Sequence, residues 1–254
     1  MIILPSGCQL VMDSLPQEIV DEIINNLPRS SLRFSSLVAR RWRKRNQQRA
    51  LSTIHFYTES MVSSWHTDIQ IDPAGVSSCV QSAGFKRIDG WDDPTLFIRV
   101  LKNFNSLTAL GIYETEISDE LLEQISRGEL GQSIAITALC LHGLRCSLSA
   151  LIPIILAFPT LRELTVVDFE IMPREAPLTY PALSPRRPLD SLVVRGLANR
   201  EVAETLANHQ FASRSLTLDA QPRNIQKLLT LSSATIVELV LKGTYPLCVD
   251  RKSY

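Results

Sequence analysis

A short apolar pattern recurs from residue 107 onward in this 254-residue chain, and it constrains the fold more than any other feature. The copies have the form apolar-x-x-apolar-x-apolar and begin at positions 107, 136, 161, 189, 213 and 236, of which the one at Ser213 is degenerate. The steps between them are 29, 25, 28, 24 and 23 residues. Alternating apolar residues predict a strand in every copy. A period of this size is typical of repeat architectures, in which each unit packs against its neighbours.

The segments between the copies predict helices. Residues 119–128 have helical apolar spacing and end in glycine, and the segments 147–158, 200–210 and 222–231 have a similar pattern. Because strands and helices alternate, we expect an α/β fold with parallel strands and helices on the outer side. Two weaker patterns, at 51–56 and 85–88, indicate leading strands.

The N-terminal part of the chain carries a different pattern. Apolar residues that recur every four positions predict a helix with one apolar flank, namely Leu15, Ile19, Ile23 and Leu27. Pro28 ends this helix, because proline disfavours helical geometry in the residue before it. Residues 29–49 contain eight basic side chains and no acidic one, interleaved with apolar positions such as Trp42. This segment predicts short helices with basic outer faces.

These N-terminal residues resemble an F-box, a family with the pattern Leu-Pro-x-Glu-Ile, a helix, Leu-Pro, and a Leu-Val-x-Arg-x-Trp ending. The corresponding strings here are 15–19, 27–28 and 37–42, with Ala39 where the family often has Cys. The resemblance implies a short three-helix module at 13–55 that binds the Skp adaptor of cullin-RING ubiquitin ligases. The adaptor-binding residues that it implies are Leu15, Pro16, Ile19, Ile23, Leu27, Leu32, Leu37, Val38 and Trp42.

The later repeats are similar, more loosely, to leucine-rich repeats. Together the two patterns resemble the F-box proteins with irregular C-terminal leucine-rich repeats that are expanded in mushroom-forming fungi. Regular repeats place Asn or Cys three residues after the last apolar strand position, whereas this chain has Thr115, Leu144, Phe169, Leu197, Gln221 and Thr244. We therefore expect an irregular solenoid at 101–254, a connecting or first-repeat region at 56–100, and an irregular tail at 1–12.

A solenoid of this kind would bind a target protein on its concave side, where the positions between the strand leucines lie. The residues predicted to bind the target are Tyr113, His142, Glu163, Thr165, Arg195, Asp219, Glu238 and Lys242. Their mixed charge suits a protein ligand more than a uniform polyanion. Five prolines between 172 and 188 predict a loop in place of one helix. Both a solvated excursion and a recognition loop carrying Tyr180, Arg186 and Arg187 stay open.

Composition and motifs narrow the classes of function. The 26 Lys and Arg balance the 26 Asp and Glu, which makes nucleic acid an unlikely ligand for the surface as a whole. The longest apolar run, 148–158, is shorter than the roughly 20 residues of a membrane-spanning helix, so we expect a soluble protein that does not enter the membrane. Five scattered cysteines indicate reduced thiols and a cytoplasmic or nuclear location.

The sequence also lacks the motifs of common enzymes. It has no phosphate-binding glycine loop, nucleophile elbow or paired-histidine zinc motif. Cys140, His142 and Cys146 lie close together, but no obvious fourth zinc ligand is near them. We therefore expect no enzymatic activity, no cofactor and no metal.

These observations predict a substrate-receptor subunit of an SCF-type ubiquitin ligase. It would bind the Skp adaptor, through it a cullin, and an unknown target protein. The main alternative is a non-catalytic interaction scaffold whose N-terminal helices only cap the open end of the solenoid. A nucleic-acid reader that uses the basic segment is a further alternative.

Overall fold

The computed structural model describes residues 15–35, 40–71, 77–93, 95–126, 135–173, 188–196, 199–219 and 226–241. Three helices come first, α1 (Gln17–Asn26), α2 (Arg29–Ser35) and α3 (Arg40–Leu51). The helix predicted from the four-residue spacing is α1. It ends at Asn26, and Leu27 has extended backbone with φ −71° and ψ 139°, as expected for the residue before Pro28.

Strands and helices then alternate along the described chain. The strands are β1 (Thr53–Phe56), β2 (Ser82–Lys86), β3 (Ala109–Tyr113), β4 (Ala138–His142), β5 (Arg145–Cys146), β6 (Glu163–Val167), β7 (Glu170–Ile171), β8 (Leu189–Arg195), β9 (Ser213–Leu218) and β10 (Glu238–Leu241). The helices are α4 (Glu59–Ile71), α5 (Leu96–Leu101), α6 (Asp119–Ser126), α7 (Leu148–Leu156), α8 (Asn199–Asn208) and α9 (Gln226–Ser232). Short 3-10 turns lie at Ser77–Cys79 and Ile88–Gly90.

Eight of the strands form one parallel sheet in chain order, β1-β2-β3-β4-β6-β8-β9-β10. Ala138 lies opposite Ala109 in β3 and opposite Glu163 in β6. These paired residues are 29 and 25 positions apart, the same steps that separate the copies in the sequence. The later pairings repeat the predicted steps of 28, 24 and 23 residues. The six strands predicted from residue 107 onward and their parallel arrangement are therefore confirmed, whereas the strand predicted at 85–88 lies at Ser82–Lys86 and Ile88 begins a 3-10 turn. β5 and β7 form a separate two-stranded ladder.

The main core lies on one face of this sheet, under the helices. In β3 the side chains of Leu110 and Ile112 are buried, and in α7 those of Leu151 and Ile154 are fully buried. Pro153 lies inside α7, which Ser147 caps by accepting a hydrogen bond from the Ala150 N–H. The same core continues from β1 to β9. The opposite face of the sheet carries the side chains that alternate with the buried ones along each strand, and most of them are half-buried. We call this face the open face.

The region 56–100 takes part in the sheet. β1 pairs with β2, and β2 pairs with β3, so the domain boundary expected at residue 55 falls inside β1. The Phe56 ring stacks on Phe85 with a centroid distance of 4.8 Å and on Phe104 at 6.4 Å. These rings join the first two strands to the core that the later strands share.

After five of the strands the chain turns through a left-handed backbone conformation. The residues there are Arg87, Glu114, Gly143, Asp168 and Gly196, with φ of 54°, 47°, 63°, 50° and 97°. The N–H of each of the first four donates to the last carbonyl of the next strand, at 2.8–3.1 Å. At Gly196 a Cβ would lie 2.7 Å from the Asp168 nitrogen, so glycine is required there.

The positions that carry Asn or Cys in regular repeats are filled differently here. The Thr115 hydroxyl accepts a hydrogen bond from the Ile88 N–H at 3.2 Å and donates to the Tyr113 carbonyl at 2.9 Å. Leu144 and Phe169 at the equivalent positions are buried and apolar. Thr115 thus provides a hydrogen-bonded turn contact, whereas the next two equivalent positions are occupied by apolar core residues.

Some predicted features lie outside the described residues. These are the tail at 1–12, three of the turn positions (Leu197, Gln221 and Thr244), the end of the helix predicted at 119–128, the start of the helix predicted at 222–231, and the proline-rich segment between 174 and 187 with Tyr180, Arg186 and Arg187.

Candidate adaptor-binding and target-binding surfaces

The three N-terminal helices have a core of their own. Val20 and Ile24 of α1 are buried against Leu32 of α2 and Trp42 of α3, and none of the four is more than 3% exposed. Leu15 and Leu27 pack against this cluster and are half-buried. Within the described residues the cluster is separate from the core beneath the sheet. The three helices therefore form a module with an interior of its own.

Polar contacts fix the helices of this module to one another. The Ser35 hydroxyl at the end of α2 donates to the Asn46 side-chain oxygen in α3 at 2.8 Å, and both residues are buried. The Arg45 guanidinium in α3 pairs with the Asp21 carboxylate in α1 at 2.9 Å. This ion pair is largely exposed, so it orients the helices more than it stabilises them.

The first helix presents a second apolar stripe to solvent. Ile19 is 43% exposed and Ile23 is 36% exposed. With Glu22, Asn26 and Leu27 they line a shallow depression of about 430 Å³. We call this the outer α1 surface. An apolar stripe on an exposed helix, flanked by carboxylates, is a common anchor for a partner protein.

The predicted adaptor-binding residues divide into groups in the structure. Pro16, Ile19 and Ile23 are exposed, whereas Leu15 and Leu27 are half-buried. Leu32 and Trp42 are interior residues, and a direct contact with a partner would require them to leave the module core. As folded, both belong to the module interior, and their contact with an adaptor stays a prediction. Leu37 and Val38 lie outside the described residues.

The sequence interpretation missed the inward stripe of α1. Val20 and Ile24 have the same four-residue spacing as Ile19 and Ile23, one position later in the chain. Two adjacent apolar stripes were therefore visible, and spacing alone does not tell which of them is buried.

The predicted target-binding residues that the structure describes all belong to the open face. Tyr113 of β3 lies opposite His142 of β4, and Arg195 lies in the same row at the end of β8. Thr165 lies lower in β6, opposite Cys140. The other described residues of the set follow the same alternation at the strand ends, namely Glu163, Asp219 and Glu238. Lys242 lies outside the described residues.

Four rings cluster at the start of the open face. The Tyr113 ring lies 6.1 Å from His55 and 6.3 Å from His142 between centroids, and His55 lies 6.4 Å from Tyr57. Gly84 and the pair Lys86 and Glu114 complete a depression of about 240 Å³ between these rings. We call it the ring pocket. The sequence interpretation missed His55, Tyr57 and Gly84, because the β1 and β2 patterns were weak.

Charged groups at the rim of the ring pocket pair with one another. The Lys86 ammonium lies 2.9 Å from the Glu114 carboxylate, and the Arg87 guanidinium lies 3.2 Å from its other oxygen. The hydrogen bond from Lys86 lowers the pKa of the Glu114 carboxyl below its ordinary value, and the nearby positive charges act in the same direction. On the other side, His142 Nε2 lies 3.5 Å from the Asp168 carboxylate.

A hydroxyl and a thiol meet beside this pocket. Burial raises the pKa of Tyr113, and the hydrogen bond with Cys140 raises it further. Burial also raises the pKa of the Cys140 thiol, although the hydrogen bond with Tyr113 acts against this. Both groups are therefore neutral at physiological pH. In the described part of the chain, no group of three or more His, Cys, Asp or Glu side chains could hold a metal ion.

The fold and these surfaces define a protein with two candidate protein-binding regions, a three-helix module and the open face of a parallel sheet. The family model described as the F-box domain matches residues 12–45, so the chain carries an F-box at its N-terminus. This confirms the F-box prediction. The match ends within α3 and does not extend to the sheet. F-box domains typically bind the Skp adaptor and, through it, a cullin.

No curated protein and no solved structure matches the chain. None of the described helices is both long enough and apolar enough to cross a membrane.

Proposed function

We propose that this protein is the substrate-receptor subunit of an SCF-type ubiquitin ligase. One observation carries the proposal, namely that the F-box domain at 12–45 presents Ile19 and Ile23 to solvent while its own core is completed by other residues. The exposed stripe is thus available to a partner without unfolding the module. The protein itself would only bind, with no catalytic step and no cofactor, and it would work in the cytoplasm or the nucleus.

The sheet region is the proposed target-binding part, as an irregular leucine-rich-repeat-like solenoid. Parallel strands in chain order, offsets of 23–29 residues and a left-handed residue after five strands support this architecture. The open face carries the residues predicted to bind a target. The resemblance to the repeat proteins expanded in mushroom-forming fungi stays a prediction.

The proposed mechanism is proximity. The module would hold the adaptor, and the open face would hold a target protein, so that the target stays near the ubiquitin-carrying enzyme. Tethering raises the effective concentration of the target there, often into the millimolar range. No reactive group is needed on this chain for such a mechanism.

The alternative of a scaffold with capping helices makes a different prediction about α1. A helix that only caps the sheet would bury its apolar stripes against the sheet. Here α3 is the helix that adjoins the first strand, because it ends at Leu51 and β1 begins at Thr53. The Ser52 carbonyl accepts hydrogen bonds from Gln81 and Ser82 at 2.9 Å. The outer α1 surface remains exposed, which favours the adaptor-binding role.

Co-purification with the Skp adaptor tests the proposal. The full chain is co-expressed with a tagged adaptor, either as wild type or with Ile19→Asp and Ile23→Asp together. Leu15 is not a suitable position, because it packs against the module core and its substitution would disturb folding. We expect the wild-type chain to co-purify with the adaptor and the double variant to be absent from the adaptor fraction.

A matched control carries the same chemical change at exposed apolar residues elsewhere. Met61 is 38% exposed and Val237 is 86% exposed, so Met61→Asp with Val237→Asp tests the general effect of two added carboxylates. This control should still co-purify. Full retention of the adaptor by the Ile19 and Ile23 variant would favour the capping scaffold instead.

A further inference from the structure

The ring pocket exists because two neighbouring strands have glycine on the open face. Gly84 lies between His55 and Gly111 in register. A Cβ at Gly84 would collide with the His55 ring, and a Cβ at Gly111 would collide with the Tyr113 hydroxyl. The Tyr113 ring therefore lies over the sheet and meets His55 across a strand that contributes no side chain. Gly84 and Gly111 are buried because the His55 and Tyr113 rings lie over them, and these rings line the pocket.

The size of this pocket limits what it can hold. Its volume is about 240 Å³, below the roughly 300–1,000 Å³ of pockets that bind cofactors or drug-sized ligands. One large side chain fits this space. The rings of Tyr57, His55, Tyr113 and His142 line it as a row in which neighbouring centroids lie 6.1–6.4 Å apart. The faces and edges that these rings turn to the pocket favour a further ring in an offset or edge-to-face arrangement.

The charges at the rim favour a neutral occupant. Lys86 and Arg87 both use the Glu114 carboxylate as counter-ion, and Asp168 lies beside His142. A carboxylate entering the pocket would lose water and would have to compete with Glu114 for Lys86 and Arg87, and the Lys86 ammonium would repel a second cation. The same rim offers donors and acceptors to a weakly polar tip. A phenol or an indole has both properties, an apolar ring and one polar group.

We propose that the ring pocket binds one tryptophan or tyrosine side chain of a protein held on the open face. This inference deepens the proposed function and rests on its assignment of the open face to target binding. A buried aromatic anchor in a small pocket is the kind of contact that contributes most to protein–protein affinity. The pocket would select targets by a ring, while the mixed charges further along the face contribute orientation.

Histidine-labelled NMR of the full chain tests the pocket directly. The chain has four histidines; His55 and His142 line the pocket, whereas His66 on α4 and His209 after α8 do not. The imidazole signals are assigned with single His→Gln variants. The probes are N-acetyl-tryptophanamide and N-acetyl-tyrosinamide, compared with N-acetyl-leucinamide and N-acetyl-lysinamide. We expect the aromatic probes to shift only the His55 and His142 signals, with a Kd in the millimolar range typical of fragments.

Two variants locate the binding. Tyr57 is 58% exposed, so Tyr57→Ser removes one ring wall with little risk to folding. Tyr113→Leu removes the central ring. Each should weaken aromatic probe binding roughly two- to tenfold, the contribution expected of one aromatic pair, and Met61→Ser serves as the exposed control. Equal shifts with leucine or lysine amides, shifts that survive both ring variants, or the absence of any shift would overturn the proposal.

The outcome separates this inference from the ligase proposal. Adaptor co-purification should be unchanged in Tyr57→Ser, because the pocket lies on the sheet and not on α1. If the wild-type chain does not bind the adaptor but the aromatic probes still shift the His55 and His142 signals, the ligase role is overturned and the pocket is supported. Retained adaptor binding with no probe shifts would overturn the pocket alone.

Discussion

The two apolar stripes of α1 should respond to the same truncation in opposite ways. Ile19 and Ile23 form the exposed stripe, whereas Val20 is fully buried and Ile24 is 2% exposed. Ile19→Ala with Ile23→Ala should lower affinity for the Skp adaptor and leave the module folded. Ile24→Ala should destabilise the module, with any loss of affinity following from that.

The magnitudes follow from burial. Fully burying an isoleucine side chain is worth about 1.5–3 kcal/mol. Ile19 and Ile23 still expose 43% and 36% of their surface, so covering both corresponds to about 1–2 kcal/mol. That free energy is roughly a 5- to 30-fold change in Kd. Ile24→Ala leaves a cavity in a small core and should cost about 2–4 kcal/mol.

Calorimetric titration of the adaptor and hydrogen exchange of the α1 amides measure the two effects separately. Exchange reports the stability of the module itself and not that of the whole chain. We expect slow exchange with weakened binding for the Ile19 and Ile23 variant, and fast exchange for Ile24→Ala. The reasoning is refuted if the double alanine variant binds as wild type, or if it speeds α1 exchange as much as Ile24→Ala does.

Three further predictions follow from local contacts. Hydrogen bonds from Thr95 lower the pKa of Asp93. This carboxylate therefore stabilises the fold above its unfolded pKa, and the stabilisation is lost as pH falls through the folded pKa. Asp93→Asn should flatten the acid limb of a stability–pH curve measured by urea unfolding. Burial raises the pKa of the Cys140 thiol, so its alkylation at neutral pH, followed by mass spectrometry, should be slow. Tyr113→Phe removes a hydrogen bond that lowers this pKa and should slow the alkylation further. Gly196 has φ 97°, so Gly196→Ala should cost about 1–3 kcal/mol in urea unfolding, and an unchanged midpoint would contradict this.

Repeat spacing was enough to predict the strands and their parallel arrangement. The sequence steps from 107 onward reappear as pairings such as Ala109 opposite Ala138, because in a parallel sheet with strands in chain order the repeat length sets the register. The F-box was predicted from short strings with defined spacing and is confirmed at 12–45. In both cases the signal is the spacing of residue types along the chain.

The parts that sequence did not predict depend on burial or on distant neighbours. Val20 and Ile19 are adjacent apolar residues, and only the positions of Leu32 and Trp42 determine which of them is interior. The ring pocket combines side chains from β1 to β4, and the placement of its rings depends on a glycine that weakens the strand pattern of β2. Neither feature has a local signal in the chain.

Repeats of unequal length that nevertheless keep one register have an evolutionary consequence. The strand offsets vary between 23 and 29 residues, yet each open-face row remains aligned. Insertions and deletions between strands are thus absorbed among the helices, away from the side chains that would meet a target. A single residue inserted within a strand would instead turn its outward side chains inward. Changes in chain length between the strands thus leave the alignment of the open-face rows intact, whereas substitutions within the strands change the side chains of those rows.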